Sequence, residues 1–527
     1  MLKVLISDKL ADEGVKILEG QEGLLVEIKT GLSPEELKEI IGDYDGLIVR
    51  SGTKVTKDVL EKASKLKVIG RAGVGLDNVD LETATSRGII VMNTPAGNTI
   101  STCEHTVSMM LALSRNIPQA DSSMKKGEWK RSKFMGVEVY GKILGILGLG
   151  RIGTEVAKRA LAFGMKIIAC DPYLTLEKAE ELGIELVEAE ELFKRADYIT
   201  VHAPLSEETK HIISDKEFNL MKDGVRIINC ARGGIIDEKA LVRAIKSKKV
   251  GAAALDVFEK EPPTDSSLLE LDNLIATPHL GASTEEAQVN VAIEIAESVK
   301  DALLKGIIRN AANYPCLEPE VCKVLNPYIN LAEKLGLFAG QILEGRLFKV
   351  NIEYNGEITK MDCSPLTLSL LKGLLTPSLQ ETVNFVNALT LAKERGIKVS
   401  QVKSTQSDEF ANLITITAET DKDNHCVSGT LFTNKEMRIV KLDDFYIEAI
   451  PKGPMLIINN LDKPGIIGNL GMLLGKHDIN IAGMNFGRKT PGGNSITVLN
   501  VDSPVSDDVI CRIKQLENIL SVKMVKL

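Results

Sequence analysis

Three short apolar runs in the middle of this 527-residue chain end in residues that together could move a proton and grip a carboxylate. His279 directly follows the run 274–277, in Thr277-Pro-His-Leu-Gly-Ala-Ser283. Oxidising an alcohol or reducing a carbonyl calls for a general acid/base near the reacting carbon, most often a histidine poised by a carboxylate. Glu261, in Glu259-Lys-Glu-Pro-Pro263, follows the run 252–257 and offers that carboxylate. Arg232, in Asn229-Cys-Ala-Arg-Gly-Gly234, follows the run 225–230. A guanidinium pairs with a carboxylate in bidentate fashion, and the two glycines let the loop approach a ligand closely. Taken singly, His279 reads as well as a hydrogen-bonded structural histidine, and Arg232 as a solvated charge. Arg, Glu and His at three strand ends of one sheet argue for a site.

A second motif points to a nucleotide. Gly148-Leu-Gly150-Arg-Ile-Gly153 lies between the apolar run 143–147 and a helical pattern over 154–163. The glycines permit a tight turn and close backbone approach to a pyrophosphate, and the helix N-terminus supplies N–H groups and a positive dipole. Asp171 ends the next run and is placed to accept hydrogen bonds from a ribose diol. A carboxylate there repels a 2′-phosphate, so NAD is expected rather than NADP. The loop Gly70-Arg-Ala-Gly-Val-Gly-Leu-Asp-Asn78 lacks the third glycine and reads as a cleft-lining loop carrying Arg71.

The elements that must carry these residues are legible as alternating runs. Buried strands are expected at 3–7, 24–28, 46–50, 67–70 and 89–93, with a capped helix opening at Ser33-Pro34-Glu-Glu36. A long helix is expected over 99–126, then a second alternating series with strands at 143–147, 166–170, 198–202, 225–230, 252–257 and 274–277, then a helix over 285–305. Such alternation implies parallel sheets covered on both faces. Leu-rich helices and short strands are expected to about residue 450. The tail reads as βαββαβ, the order of a small ferredoxin-like domain.

Composition narrows the classes. Lys and Arg total 64 against 72 Asp and Glu, a net charge of −8, with no basic block of the kind that nucleic acid or an anionic membrane requires. The cysteines form no C-x-x-C or zinc-ligand spacing, so no metal site is expected. The opening Met-Leu-Lys-Val-Leu-Ile-Ser-Asp meets charge too early for a leader or a membrane span, so a cytoplasmic protein is expected. The length suits three to four domains.

Asp197-Tyr-Ile-Thr-Val-His-Ala-Pro-Leu205, Asn229 to Asp237, Ala253 to Pro263 and Pro278 to Ser283 resemble the D-2-hydroxyacid dehydrogenase family. Arg71 to Val79, Met92 to Asn98, Glu104-His-Thr106 and Trp129 to Gly136 resemble, more closely, the branch of that family that acts on 3-phospho-D-glycerate. The likeness covers 1–310; the tail resembles an ACT domain, and the stretch before it resembles the intervening domain of the long forms.

The resemblance implies two doubly wound parallel-sheet lobes, flavodoxin-like and Rossmann, with an α+β intervening domain and a ferredoxin-like ACT domain. The divisions are 1–97 with 285–312, 98–284, 313–450 and 451–527. It implies that Arg232, Glu261 and His279 form the catalytic trio. NAD would contact Val74, Gly148, Gly150, Arg151, Ile152, Gly153, Asp171, His202, Ala203, Pro204, Cys230, Ala231, Arg232, Asp256, His279, Gly281 and Ala282. The substrate would meet Arg50, Ser51, Gly52, Arg71, Asn98, Arg131, Lys133, Arg232 and His279, with Lys54 nearby and Arg131 donated by a neighbouring subunit. Asn460, Asp462 and Asn480 would hold L-serine across a dimer interface, in a homodimer or homotetramer. The implied reaction is NAD-dependent oxidation of 3-phospho-D-glycerate to 3-phosphohydroxypyruvate, which opens the phosphorylated route to serine, with serine as feedback inhibitor. A hydroxypyruvate or glyoxylate reductase, an NAD-sensing binding protein and a purely dimerising tail are the competing expectations.

Overall fold

The computed structural model describes residues 1–264, 266–315, 319–379, 383–406, 410–433 and 435–527. Its first sheet joins Leu2–Ile6 (β1), Leu24–Ile28 (β2), Gly46–Val49 (β3), Val68–Arg71 (β4) and Ile90–Met92 (β5), in the all-parallel order β2-β1-β3-β4-β5. Parallel neighbours need crossovers, and the crossover helices bury both sheet faces, so β3 is buried at all its positions. Leu37, Val59, Leu60 and Ala84 cover one face. The other is covered by Leu18 and by the returning helix Glu285–Lys305 through Val291, Ile295 and Val299. Ser33 and Glu36 form the expected capping box.

The long helix expected over 99–126 is two helices, Thr99–Arg115 and Ile117–Lys125. Asn116 between them is left-handed, at φ 53°, a conformation asparagine tolerates, and Pro118 suits the first turn that follows.

The second sheet is also parallel. It comprises Ile143–Leu147 (β6), Lys166–Cys170 (β7), Glu185–Leu186 (β8), Tyr198–Val201 (β9), Val225–Asn229 (β10), Val250–Leu255 (β11) and Leu274–Ala276 (β12), in the order β12-β11-β10-β9-β6-β7-β8. The chain reverses direction across the sheet beside β6, where an open α/β sheet leaves a crevice for ligands. The edge strand β8 was not anticipated, because two residues carry no periodicity.

The C-terminal half is a mixed sheet followed by an antiparallel one. Leu347–Gly356 (β13), Lys398–Ser404 (β14), Asn412–Thr420 (β15), Asn424–Phe432 (β16), Glu436–Leu442 (β17) and Phe445–Ala449 (β18) are ordered β14-β13-β15-β16-β17-β18. These strands run longer than expected: β15 alternates buried and half-buried positions along its length, since helices Pro319–Ile342 and Ser364–Leu375 lie on one face only. The two helices cross closely enough that a Cβ on Gly336 would stand 2.0 Å from the Leu370 carbonyl oxygen. The tail forms the expected βαββαβ sheet from Pro454–Leu461 (β19), Ile481–Arg488 (β20), Asn494–Val501 (β21) and Ile519–Lys526 (β22), ordered β20-β21-β19-β22. Its helices cover one face, while Met455, Ile457, Ile496, Val498 and Val525 on the other join the core around Pro319–Ile342. No helix among the described residues is long and apolar enough to cross a membrane.

Leucine at Gly336 has no room at this crossing, an overpacking cost of about 1–3 kcal/mol. Scanning calorimetry of Gly336→Leu is expected to show an unfolding midpoint several degrees lower; an unchanged midpoint means the helices separate freely.

Candidate active site

The carboxyl ends of β3 and β4 face those of β11 and β12 across a cleft of about 810 Å³. Arg50, Ser51, Lys54, Arg71 and Asn78 line one side, and Glu261, His279 and Ala282 the other. His279 Nδ1 lies 2.8 Å from Glu261 Oε2. A carboxylate only accepts, so Nδ1 carries the hydrogen and Nε2 is left as the basic nitrogen. Glu261 is itself held by the Phe258 N–H, which donates to Oε1 at 3.1 Å. The His279 ring is half exposed, as a group that meets substrate must be.

His279 is left-handed, at φ 54°, a sparsely populated conformation that costs any non-glycine residue energy. The fully buried Asp256, just past β11, holds it there. Its backbone oxygen accepts from the His279 N–H at 2.9 Å, while its carboxylate accepts from the N–H groups of Leu280 (2.7 Å) and Gly281 (2.8 Å). Burial pushes this carboxyl up, but hydrogen bonds from His105, Thr277 and Leu280 outweigh it and keep the group below the usual carboxylate range.

Cations gather on the facing side, and Arg232, from the loop after β10, reaches across to it. Arg232 Nε is 3.3 Å from Asp77 Oδ2, and a Cβ on Gly75 would stand 2.2 Å from the Arg232 guanidinium. A Cβ on Gly73 would strike Arg71 at 1.8 Å, so the glycines that read as a cleft-lining loop make room for two arginines. Burial, then the charge of Arg232, lowers Arg71 to about 10, against Asp77. Arg71 Nε is buried with no hydrogen-bond partner among the described residues. Asp8 accepts from the Arg50 and Thr53 N–H groups, and Asn78 Nδ2 donates to the carbonyls of the same two residues, which fixes the Arg50 loop. Asp8, Asp77 and Asn78 are not singled out by the sequence, although Asp77 and Asn78 lie within the loop 70–78 that reads as lining the cleft.

Residues 107–281 match the NAD-binding domain of the D-isomer specific 2-hydroxyacid dehydrogenases, and residues 324–443 match the D-3-phosphoglycerate dehydrogenase intervening domain. The D-3-phosphoglycerate dehydrogenase of Methanocaldococcus jannaschii is 50% identical over 528 residues, covering 100% of both chains, and that of Bacillus subtilis is 44% identical, again over 100% of both. The chain belongs to the D-3-phosphoglycerate dehydrogenases. It is an NAD-dependent oxidoreductase. Among solved structures, the D-lactate dehydrogenase of Aquifex aeolicus complexed with NAD and lactic acid is similar at 31% identity and TM-score 0.53, over 59% of this chain and 99% of that one. A glyoxylate reductase from Paecilomyes thermophila is similar at 32% identity and TM-score 0.55, over 61% and 99%.

The loop after β6 fits NAD. Cβ atoms on Gly148 and Gly153 would collide with the His202–Ala203 backbone at 2.9 Å and the Gly148 oxygen at 2.3 Å, whereas one on Gly150 would meet nothing within 4 Å. Gly150 therefore borders open space at the N-terminus of helix Arg151–Ala162, a terminus without a side-chain cap. The carboxylate of Asp171 braces this loop by accepting from the Leu149 and Tyr173 N–H groups, one on each oxygen, and keeps lone pairs for a ribose diol. Burial lowers His202 to about 4, so its ring is neutral; its Nδ1 is buried without a partner among the described residues, beside the glycine loop. Ala203 and Pro204 continue from it. Cys230, Ala231, Gly281 and Ala282 sit at or just past the carboxyl ends of β10 and β12, and Val74 lies in the loop after β4.

Other expected residues stand apart. Arg131 and Lys133 lie on a short turn, Arg131–Phe134, and line a separate surface groove with the exposed Trp129 and Met135. A single chain does not bring them to the cleft. Gly52 packs on Asp8, and Asn98 opens helix Thr99–Arg115 with its Oδ1 buried and unpartnered among the described residues. In the tail, the side chain of buried Asn460 bonds Ser495 and Thr497, Asp462 accepts from Arg488 and the Gly492 N–H, and Asn480 donates to Asp502. Asn460 faces Ser495 while Asn480 adjoins the Ile481–Val501 end of the same ladder, so the two are roughly 20 Å apart at ~3.4 Å per residue. The topology thus separates Asn480 from Asn460 and Asp462 within one chain.

Arg71→Met removes a partly buried, undercompensated charge. Thermal melts of the ligand-free enzyme are expected to show a midpoint equal to or above the parent's, while KM for an anionic substrate rises about tenfold, one charged hydrogen bond's worth. A lower midpoint with unchanged KM overturns this assignment.

Proposed function

We propose that the enzyme oxidises 3-phospho-D-glycerate to 3-phosphohydroxypyruvate, the opening step of the phosphorylated route to serine. The observation that carries this reading is the His279–Glu261 pair facing Arg50, Lys54 and Arg71 across one cleft. A base on one wall suits the secondary alcohol; cations on the other suit a carboxylate and a phosphate. His279 Nε2 takes the proton of the 2-hydroxyl as C2 becomes a carbonyl, and Glu261 compensates the charge the ring gains. Arg232, at the carboxyl end of β10, holds the substrate carboxylate and polarises the C2 oxygen. Bound NAD supplies the acceptor for the hydride leaving C2.

In this reading the chain works as four units, 1–97 with 285–312, 98–284, 313–450 and 451–527, each carrying one of the four sheets. It acts as a homodimer or homotetramer. The separation of Asn460 and Asp462 from Asn480 supports an L-serine site completed by a second ACT domain, and the exposed Trp129–Met135 segment suits Arg131 and Lys133 reaching a neighbouring subunit's cleft.

The assay follows absorbance at 340 nm with NADH and 3-phosphohydroxypyruvate, beside hydroxypyruvate, glyoxylate and pyruvate. Preferential turnover of the phosphorylated acid is expected, and faster turnover of an unphosphorylated one overturns the substrate. His279→Gln is expected to lower kcat by about 10²–10⁴-fold, and Glu261→Gln by less. For the tail, calorimetry is expected to show L-serine binding that Asp462→Ala and Asn480→Ala each abolish; an absence of binding to the parent chain sinks the effector role.

A further inference from the structure

The buried Asp256 carboxylate is held by a side chain that the chemistry described so far leaves unused. His105, on helix Thr99–Arg115, places Nε2 3.2 Å from Asp256 Oδ1 and 3.2 Å from Thr277 Oγ1, and Thr277 Oγ1 donates to the same Oδ1 at 2.6 Å. The ring is about four-fifths buried. The carboxylate can only accept, and Thr277 has committed its hydrogen to it, so Nε2 of His105 is the donor.

The same helix closes the other side of the loop. Ser101 Oγ (2.8 Å) and Thr102 Oγ1 (3.2 Å) donate to the Gly281 carbonyl, while the Gly281 N–H donates to Asp256. A Cβ on Gly281 would stand 3.3 Å from both Asp256 and Thr102, so backbone, carboxylate and helix are in contact there. The three successive N–H groups of 279, 280 and 281 all end on Asp256, and among the described residues His105 is the donor to that carboxylate from outside the loop and its strand.

We propose that His105 is a positioning residue: by donating to Asp256 it fixes the carboxylate that holds residues 279–281, and so keeps His279 in its left-handed conformation with Nδ1 on Glu261. Without it, a buried carboxylate loses a donor and the strained turn loses its support. Helix Thr99–Arg115 begins where the chain passes between the two lobes, so the base's loop is tied to that connection. The proposal rests on the reading of His279 as the base, but its structural half can be measured separately.

The test compares His105→Leu with His105→Gln, whose amide restores a donor, in the full-length protein. Amide hydrogen exchange at 279–281 is expected to quicken at least about tenfold in the leucine variant, with kcat falling about tenfold and KM for the oxoacid little changed, and both are expected to return toward parent values in the glutamine variant. In an Asp256→Asn background, His105→Leu is expected to add little to the exchange rate, since the two act through one contact. Unaltered exchange in the leucine variant, or glutamine behaving as leucine does, overturns the proposal. Loss of the catalytic reading looks different: His279→Gln would keep turnover while the His105 variants still changed exchange at 279–281.

Discussion

Parallel strand pairing is the constraint on which this molecule depends. In each of the first two sheets every strand runs the same way, so all carboxyl ends emerge along one edge. The chain must cross back over the sheet after each strand, and each crossover helix buries an apolar face that stabilises the layer. Chemistry-bearing residues placed just past the ends of β3, β4, β10, β11 and β12 therefore arrive at neighbouring positions without any motif linking them in sequence. Two such edges facing one another make the cleft.

The cleft itself is held under strain. Burial, and then the neighbouring charge of Arg232, disfavours the charged form of Arg71, His279 sits in a left-handed conformation, and Asp256 is an ionised group in the interior. Like charges and buried carboxylates cost stability unless other groups answer them. Asp77 and the ring of donors around Asp256 answer part of this, and the cores beneath each sheet carry the rest. Arranged this way, the cleft holds its cations in place without a ligand.

The C-terminal half follows different physics. One face of its six-stranded sheet is covered by two closely crossing helices, and the same core continues into the underside of the tail sheet. It touches the N-terminal lobe through amides: Asn384 Nδ2 donates to the Gly88 carbonyl, Asn313 Nδ2 donates to the Ile89 carbonyl, and Asn313 Oδ1 accepts from the Val91 N–H beside β5. Asn384 and Asn313 are thus part of a seam between halves of the chain.

By itself, the sequence determined both parallel layers, the capping box at Ser33, the ferredoxin-like tail, the glycine loop with Asp171 and the trio at strand ends, because period, caps and glycines act over a few residues. Only the tertiary structure decided how these meet. It broke the helix at Asn116, since a single left-handed residue leaves the apolar period nearly intact, and it lengthened the strands of the middle sheet, whose polar alternate positions hide them. It also set Arg131 and Lys133 away from the cleft, parted Asn460 from Asn480, and drew in Asp8, Asp77 and His105. Those outcomes depend on which distant backbones the sheets bring together, and no spacing along one chain encodes that distance.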